Sequence, residues 1–147
     1  MPFVETNGIR MHYEERGEGE PLVLLMGLGA GLDKWELHAQ AYSRRFRCVL
    51  VDNRGAGESD RPSGPYSTAM MAADTAGLMD ALGIEQARVA GISMGSGIAQ
   101  ELALRFPRKV RSLVLVASWS RCDAYTREVF EHFKVARAVA RPADFVQ

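Results

Sequence analysis

Val89-Ala90-Gly91-Ile92-Ser93-Met94-Gly95 is a short apolar strand that turns directly into a helix reaching Arg105. A serine on so sharp a turn holds its backbone in a strained conformation, and small neighbours are needed so that nothing collides around it. Gly91 and Gly95 meet that need. The Ser93 hydroxyl then stands clear of the sheet as a candidate nucleophile. The Met94 amide and the helix N-terminus lie behind it, where they would stabilise a developing oxyanion.

The same strand-then-helix unit recurs along the chain. Phe3 to Thr6 and Ile9 to Glu15 read as two strands joined by an Asn7-Gly8 hairpin turn. Leu22 to Met26 and Cys48 to Val51 are unbroken apolar runs, as befits strands buried on both faces. Helices are predicted over about 34–44, over 67–82 ended by Gly83, and over 94–106 stopped by Pro107. Ala87 to Ala90 and Leu113 to Ala117 complete the strands. The fold class is therefore α/β: a mostly parallel sheet with helices on both faces and an N-terminal antiparallel hairpin. After Ala117 the alternation stops. Tyr125, Val129, Phe130, Phe133, Ala136 and Ala140 recur at helical spacing beside Arg127, Glu128, Glu131 and Arg137, which predicts an amphipathic helix. The expected division is a core over 1–121 and this helix over 122–147.

The 147 residues, 47% apolar and 24% charged, allow one domain with a real core. Eighteen basic and eighteen acidic side chains cancel without forming a basic stripe, which excludes a nucleic-acid or anionic-membrane partner as the expectation. A small-molecule partner fits. Cys48 and Cys122 match no metal-ligand spacing, and no cofactor or metal is expected. Gly27-x-Gly29-x-Gly31 is not the dinucleotide fingerprint, and no phosphate-cradling Gly-x-x-x-x-Gly-Lys-Ser/Thr occurs. Met1 to Glu5 has neither a basic nor an apolar leader region, and no apolar run is long enough to span a bilayer, so a cytoplasmic location is expected.

Ligands of open parallel sheets bind beyond the carboxyl ends of the strands. Two further loops lie there. Gly27-Leu28-Gly29 could aim the Leu28 amide at a carbonyl oxygen, making a two-donor oxyanion hole with the Met94 amide; the alternative is that these glycines only permit close packing. Asp52-Asn53-Arg54-Gly55-Ala56-Gly57-Glu58-Ser59 suggests a tight turn pinned by side-chain hydrogen bonds. For Asp52 a scaffold role, paired with Arg54 or a nearby backbone amide, is preferred to a catalytic one. His12, His38 and His132 read as surface or helix-face residues, with His132 turned to solvent. Asp123 reads as the cap of the last helix, with a catalytic acid as the alternative.

The three loops together resemble the α/β-hydrolase fold family over nearly the whole chain. There Asp-x-Arg-Gly-x-Gly-x-Ser follows the fourth strand, as Asp52 to Ser59 does, and Gly-x-Ser-x-Gly follows the fifth, as Gly91 to Gly95 does. Cap-bearing members such as enol-lactonases, esterases and cofactor-free haloperoxidases look most similar, the last helix resembling the start of a cap. Two departures stand out: Met26 occupies a place where many relatives carry histidine, and the family's triad acid and histidine usually lie on later strands than this chain contains. The resemblance implies a serine-dependent hydrolase of an ester, lactone or related acyl substrate. Its acid and base would come from a complementary C-terminal segment, a separate chain or a rearrangement, since serine without a base attacks too slowly. The alternative is an inactive module that binds a partner or ligand. An apolar strand at Leu113 to Ala117 left on a sheet edge leads to the expectation of self-association.

Overall fold

In the computed structural model, which describes residues 2–139, Asn7 and Gly8 take the positive φ pair (45° and 76°) that a two-residue hairpin turn requires. They join β1 (Phe3–Thr6) to β2 (Ile9–Arg16) with Phe3 opposite His12 and Thr6 opposite Ile9. Four more strands follow: β3 (Glu20–Leu25), β4 (Phe46–Val51), β5 (Ala87–Ile92) and β6 (Val110–Val116). The sheet order is β1-β2-β4-β3-β5-β6, with β2 antiparallel to β4 and the last four strands mutually parallel. This is the expected α/β class.

Strand alternation assigns the helices to faces. Val23, Leu25, Val49, Val51 and Val89 point to one side and are covered by α2 (Thr68–Ala81) and α3 (Met94–Arg105) through Met71, Leu78, Met79, Ile98 and Leu102. Leu22, Leu24, Cys48, Leu50 and Ala90 point to the other, under Trp35 and Ala39. Both faces of β3 and β4 are therefore dry, which is why those strands read as continuous apolar runs rather than alternations. The helix expected over 34–44 is split: a tight 3-10 turn over Leu32–Trp35 leads into α1 (Glu36–Tyr42). α2 begins where Ser67 Oγ accepts the Met70 amide at 3.1 Å, so Ser67, read as the first helical residue, is its cap.

β6 starts three residues earlier than its apolar run suggests and ends before Ala117, which takes a left-handed φ of 50°. Among the described residues it pairs only with β5, so Val114, Leu115 and Val116 stay exposed. The final helix, α4 (Ala124–Val139), opens on Asp123, whose Oδ1 accepts the Thr126 amide at 2.8 Å; capping, the preferred expectation, is what the structure contains. Phe130 ties α4 to the loop after β6 through a tilted ring contact with Trp119 at 5.7 Å. Tyr125, placed on the apolar stripe by its spacing, is 77% exposed instead, because the described residues put nothing against the first turn. Ala140 and the rest of the predicted 122–147 segment lie outside the described residues.

Candidate active site

Ser93 sits between β5 and α3 with φ 53° and ψ −124°, a conformation that costs a non-glycine residue on the order of 1–3 kcal/mol. The surroundings impose it. The Ser93 amide donates to Val116 O at 2.9 Å, while the Ser93 carbonyl accepts both the Ser96 amide (2.9 Å) and Ser96 Oγ (2.6 Å). The chain thus passes from strand pairing to helix within one residue. Small residues are compulsory around it: a Cβ on Gly91 would lie 2.7 Å from Ser96 N, and one on Gly95 would overlap the Leu25 carbonyl. The strain inferred from the sequence is therefore present, and so is its steric reason.

The Gly27-Leu28-Gly29 loop is packed against this turn. A Cβ on Gly27 would stand 3.1 Å from Ser93 Cβ and 3.6 Å from its Oγ, so the loop backbone borders the hydroxyl directly. Leu28 is 63% exposed and lines, with Met94, a groove of about 420 Å³ that continues past Thr68, Gly97 and Gln100 to Trp119 and Phe130. Met94 opens α3, so its N–H belongs to the first turn, whose amides lack intrahelical acceptors. Three positions singled out in the sequence, Leu28, Ser93 and Met94, are brought together here.

The Asp52 to Ser59 loop is pinned by side chains: of the two scaffold partners expected for Asp52, backbone amides are found and Arg54 is not. Asp52 turns inward to accept the Leu32 amide (2.6 Å), the Glu58 amide (2.9 Å) and His12 Nδ1 (2.7 Å). Arg54 instead forms a two-pronged ion pair with Asp74 of α2, both bonds 2.6 Å, and Asp74 is fully buried. That carboxylate holds the Arg54 guanidinium above its ordinary pKa. Asn7 Nδ2 and Thr6 Oγ1 join Asp74 from the hairpin, so β1, β4 and α2 meet at one polar knot. Asn53 Nδ2 donates to Met26 O at 2.9 Å, tying this loop to the end of the Leu22 to Met26 run.

His12 corrects the sequence reading most sharply, being 3% exposed rather than on the surface. Period-two alternation with Ile9, Met11 and Tyr13 puts it on the opposite side of β2, and that side is covered by the Asp52 loop and by Phe3, 5.1 Å away. Only the tertiary fold supplies that cover. His38 is exposed on α1, edge-on to Trp35 (5.5 Å) and tilted against Tyr42 (6.0 Å), and His132 is exposed on α4, bonded to Glu128 O at 2.8 Å. β2 lies three strands from β5, roughly 14 Å at ordinary strand spacing. Among the described residues no hydrogen bond joins the Ser93 hydroxyl to any histidine or carboxylate.

The family model described as the alpha/beta hydrolase fold matches residues 20–138, carrying both loop patterns and the elbow geometry just described. The chain belongs to the α/β-hydrolase fold family. It is 38% identical, over all of its 147 residues, to "Putative carbamate hydrolase RutD" of Azorhizobium caulinodans, 56% of which it covers. The enol-lactonase of Burkholderia xenovorans LB400 superposes on 76% of this hydrolase-family chain with a TM-score of 0.74 and 35% identity, 45% of that structure being covered. A thermophilic esterase of Thermogutta terrifontis superposes on 97% of it with a TM-score of 0.86 and 28% identity, 54% of that structure being covered. The chain thus spans about half the length of these α/β-hydrolase relatives. No helix among its described residues is long and apolar enough to cross a membrane.

Proposed function

We propose that the chain carries the nucleophile and oxyanion half of a serine-dependent hydrolase acting on an ester, lactone or related acyl substrate. The observation that carries this reading is the strained Ser93, φ 53°, with the Gly27-Leu28 backbone against its hydroxyl. Ser93 Oγ would add to the substrate carbonyl, and the oxygen of the tetrahedral intermediate would take hydrogen bonds from the Leu28 and Met94 amides. Similar proteins named as carbamate hydrolase, enol-lactonase and esterase support the class, since each name implies an acyl carbon bonded to nitrogen or oxygen.

The proton of Ser93 Oγ needs an acceptor that later returns it to the leaving group. His12 is spent on Asp52 and lies three strands away. The triad acid and histidine therefore come from outside the described residues, from a complementary C-terminal segment or a second chain. The open edge of β6 is where either would pair.

The test is incubation of the purified chain with a fluorophosphonate probe and a chromogenic acetate ester, beside Ser93→Ala. Labelling that maps to Ser93, vanishes in the variant and is accelerated by adding the complementary segment is the expected result. Absence of labelling with that segment present overturns the reading. That no histidine or carboxylate among the described residues is hydrogen-bonded to Ser93 favours one competitor, a catalytically silent module that binds a ligand in the 420 Å³ groove.

A further inference from the structure

Asp52 and Asn53 are consecutive residues where β4 ends, and their side chains reach sideways to opposite ends of one neighbouring loop. Asn53 Nδ2 donates to Met26 O at 2.9 Å, and Asp52 Oδ1 accepts the Leu32 amide at 2.6 Å. Between those two grips lie Gly27 to Gly31 and the Leu28 amide. Inside the span one backbone hydrogen bond is found, Ala30 N to Gly27 O, and it is long at 3.3 Å. The loop has little internal rigidity, so its shape is set by where its ends are held.

We propose that Asp52 and Asn53 are positioning residues that fix the direction of the Leu28 N–H. This rests on the reading of that amide as an oxyanion donor. Asp52 is suited to the task because its own rotamer is over-determined. Oδ2 accepts His12 Nδ1 at 2.7 Å and the Glu58 amide at 2.9 Å. Ser59 Oγ donates to the Asp52 carbonyl while accepting the His12 amide. Bonds to an ionised carboxylate are the short, strong kind, and Asp52 and Asn53 are 2% and 1% exposed. Gly57 makes room, since a Cβ there would overlap the Asp52 carboxylate. His12, misplaced by its sequence pattern, is the outer brace of the same device.

Two variants release one grip each at little change in volume. Asp52→Asn must turn its NH2 toward at least one of three facing N–H groups. Asn53→Leu removes the donor to Met26 O. The full 147-residue chain is measured by 15N relaxation, thermal melting and fluorophosphonate labelling of Ser93. Backbone order at Leu28 and Gly29 is expected to fall from about 0.85 to below about 0.6 in both variants. Labelling is expected to slow by about tenfold or more.

Arg54→Met serves as a destabilised control that lowers the melting temperature yet leaves Leu28 order and labelling rate unchanged below the melt. Unchanged order at Leu28 in both variants, or lost order with an unchanged labelling rate, overturns the proposal. Lost order in variants of a chain whose Ser93 never labels, even with the complementary segment added, upholds the anchoring and removes the hydrolase reading instead. If Asp52→Asn does not fold, Asn53→Leu and Asn53→Ala decide the matter.

Discussion

Gly95 and Gly97 lie two residues apart in α3, and replacing each with alanine should have opposite consequences. At Gly95 the new methyl would overlap the Leu25 carbonyl oxygen and lie 2.7 Å from its carbon and 2.8 Å from Met26 O. Leu25 cannot retreat, because β3 is hydrogen-bonded to β4 and β5 on its two sides. α3 must move outward by roughly 1 Å, a gap that forfeits about a quarter to a half of the dispersion contacts at its inner face. Ile98, Ala99 and Leu102, all fully buried, carry those contacts. The loss should be about 3–5 kcal/mol after the gain of about 1 kcal/mol that alanine brings to a helix. For a chain of this size that lowers the melting temperature by about 6–20 °C. At Gly97 the same methyl meets Thr68 Cγ2 at 3.3 Å, a side chain at the start of α2 that can give way. The helix gain then nearly offsets the contact, and the melt should stay within about 3 °C of wild type. Circular dichroism melts of both variants decide it. A Gly95→Ala protein melting with the wild type, or a Gly97→Ala protein falling as far, would refute the steric argument.

Asp74→Ala should cost about 3–5 kcal/mol in urea unfolding, because it strands the buried Arg54 guanidinium, while the double variant Arg54→Met with Asp74→Leu should lose much less. A single variant within 1 kcal/mol of wild type, on that scale, would show that the knot is dispensable. The Thr126 backbone N–H, and then its hydroxyl, hold the Asp123 carboxylate below its ordinary value of 3.8. A depressed folded pKa contributes stability above the unfolded value and loses it as pH falls through the folded one. The Thr126 amide resonance should therefore titrate with a midpoint under 3.8, and Asp123→Asn should abolish that titration. A midpoint at or above 3.8 would mean that the cap does not form in solution.

The sequence alone determined what depends on neighbours along the chain. Dry apolar runs at Leu22 to Met26 and Cys48 to Val51, the Asn7-Gly8 turn, the Asp123 cap and the glycines flanking Ser93 each express a local rule, and the structure obeys them. The tertiary structure alone decided what depends on contacts across long separations. Asp52 meets His12 forty residues away, and Arg54 passes over it for Asp74 on α2. Choosing between two carboxylates is a matter of where strands and helices stack, and no spacing encodes it. His12 is buried for the same reason: alternation assigns a residue to a face of its strand, but only the fold says whether a loop covers that face. The Gly27 to Gly31 loop lies between these cases. Its glycines announce a close approach, yet the two side chains that grip its ends follow directly on the end of β4, brought alongside by parallel pairing of β3 with β4.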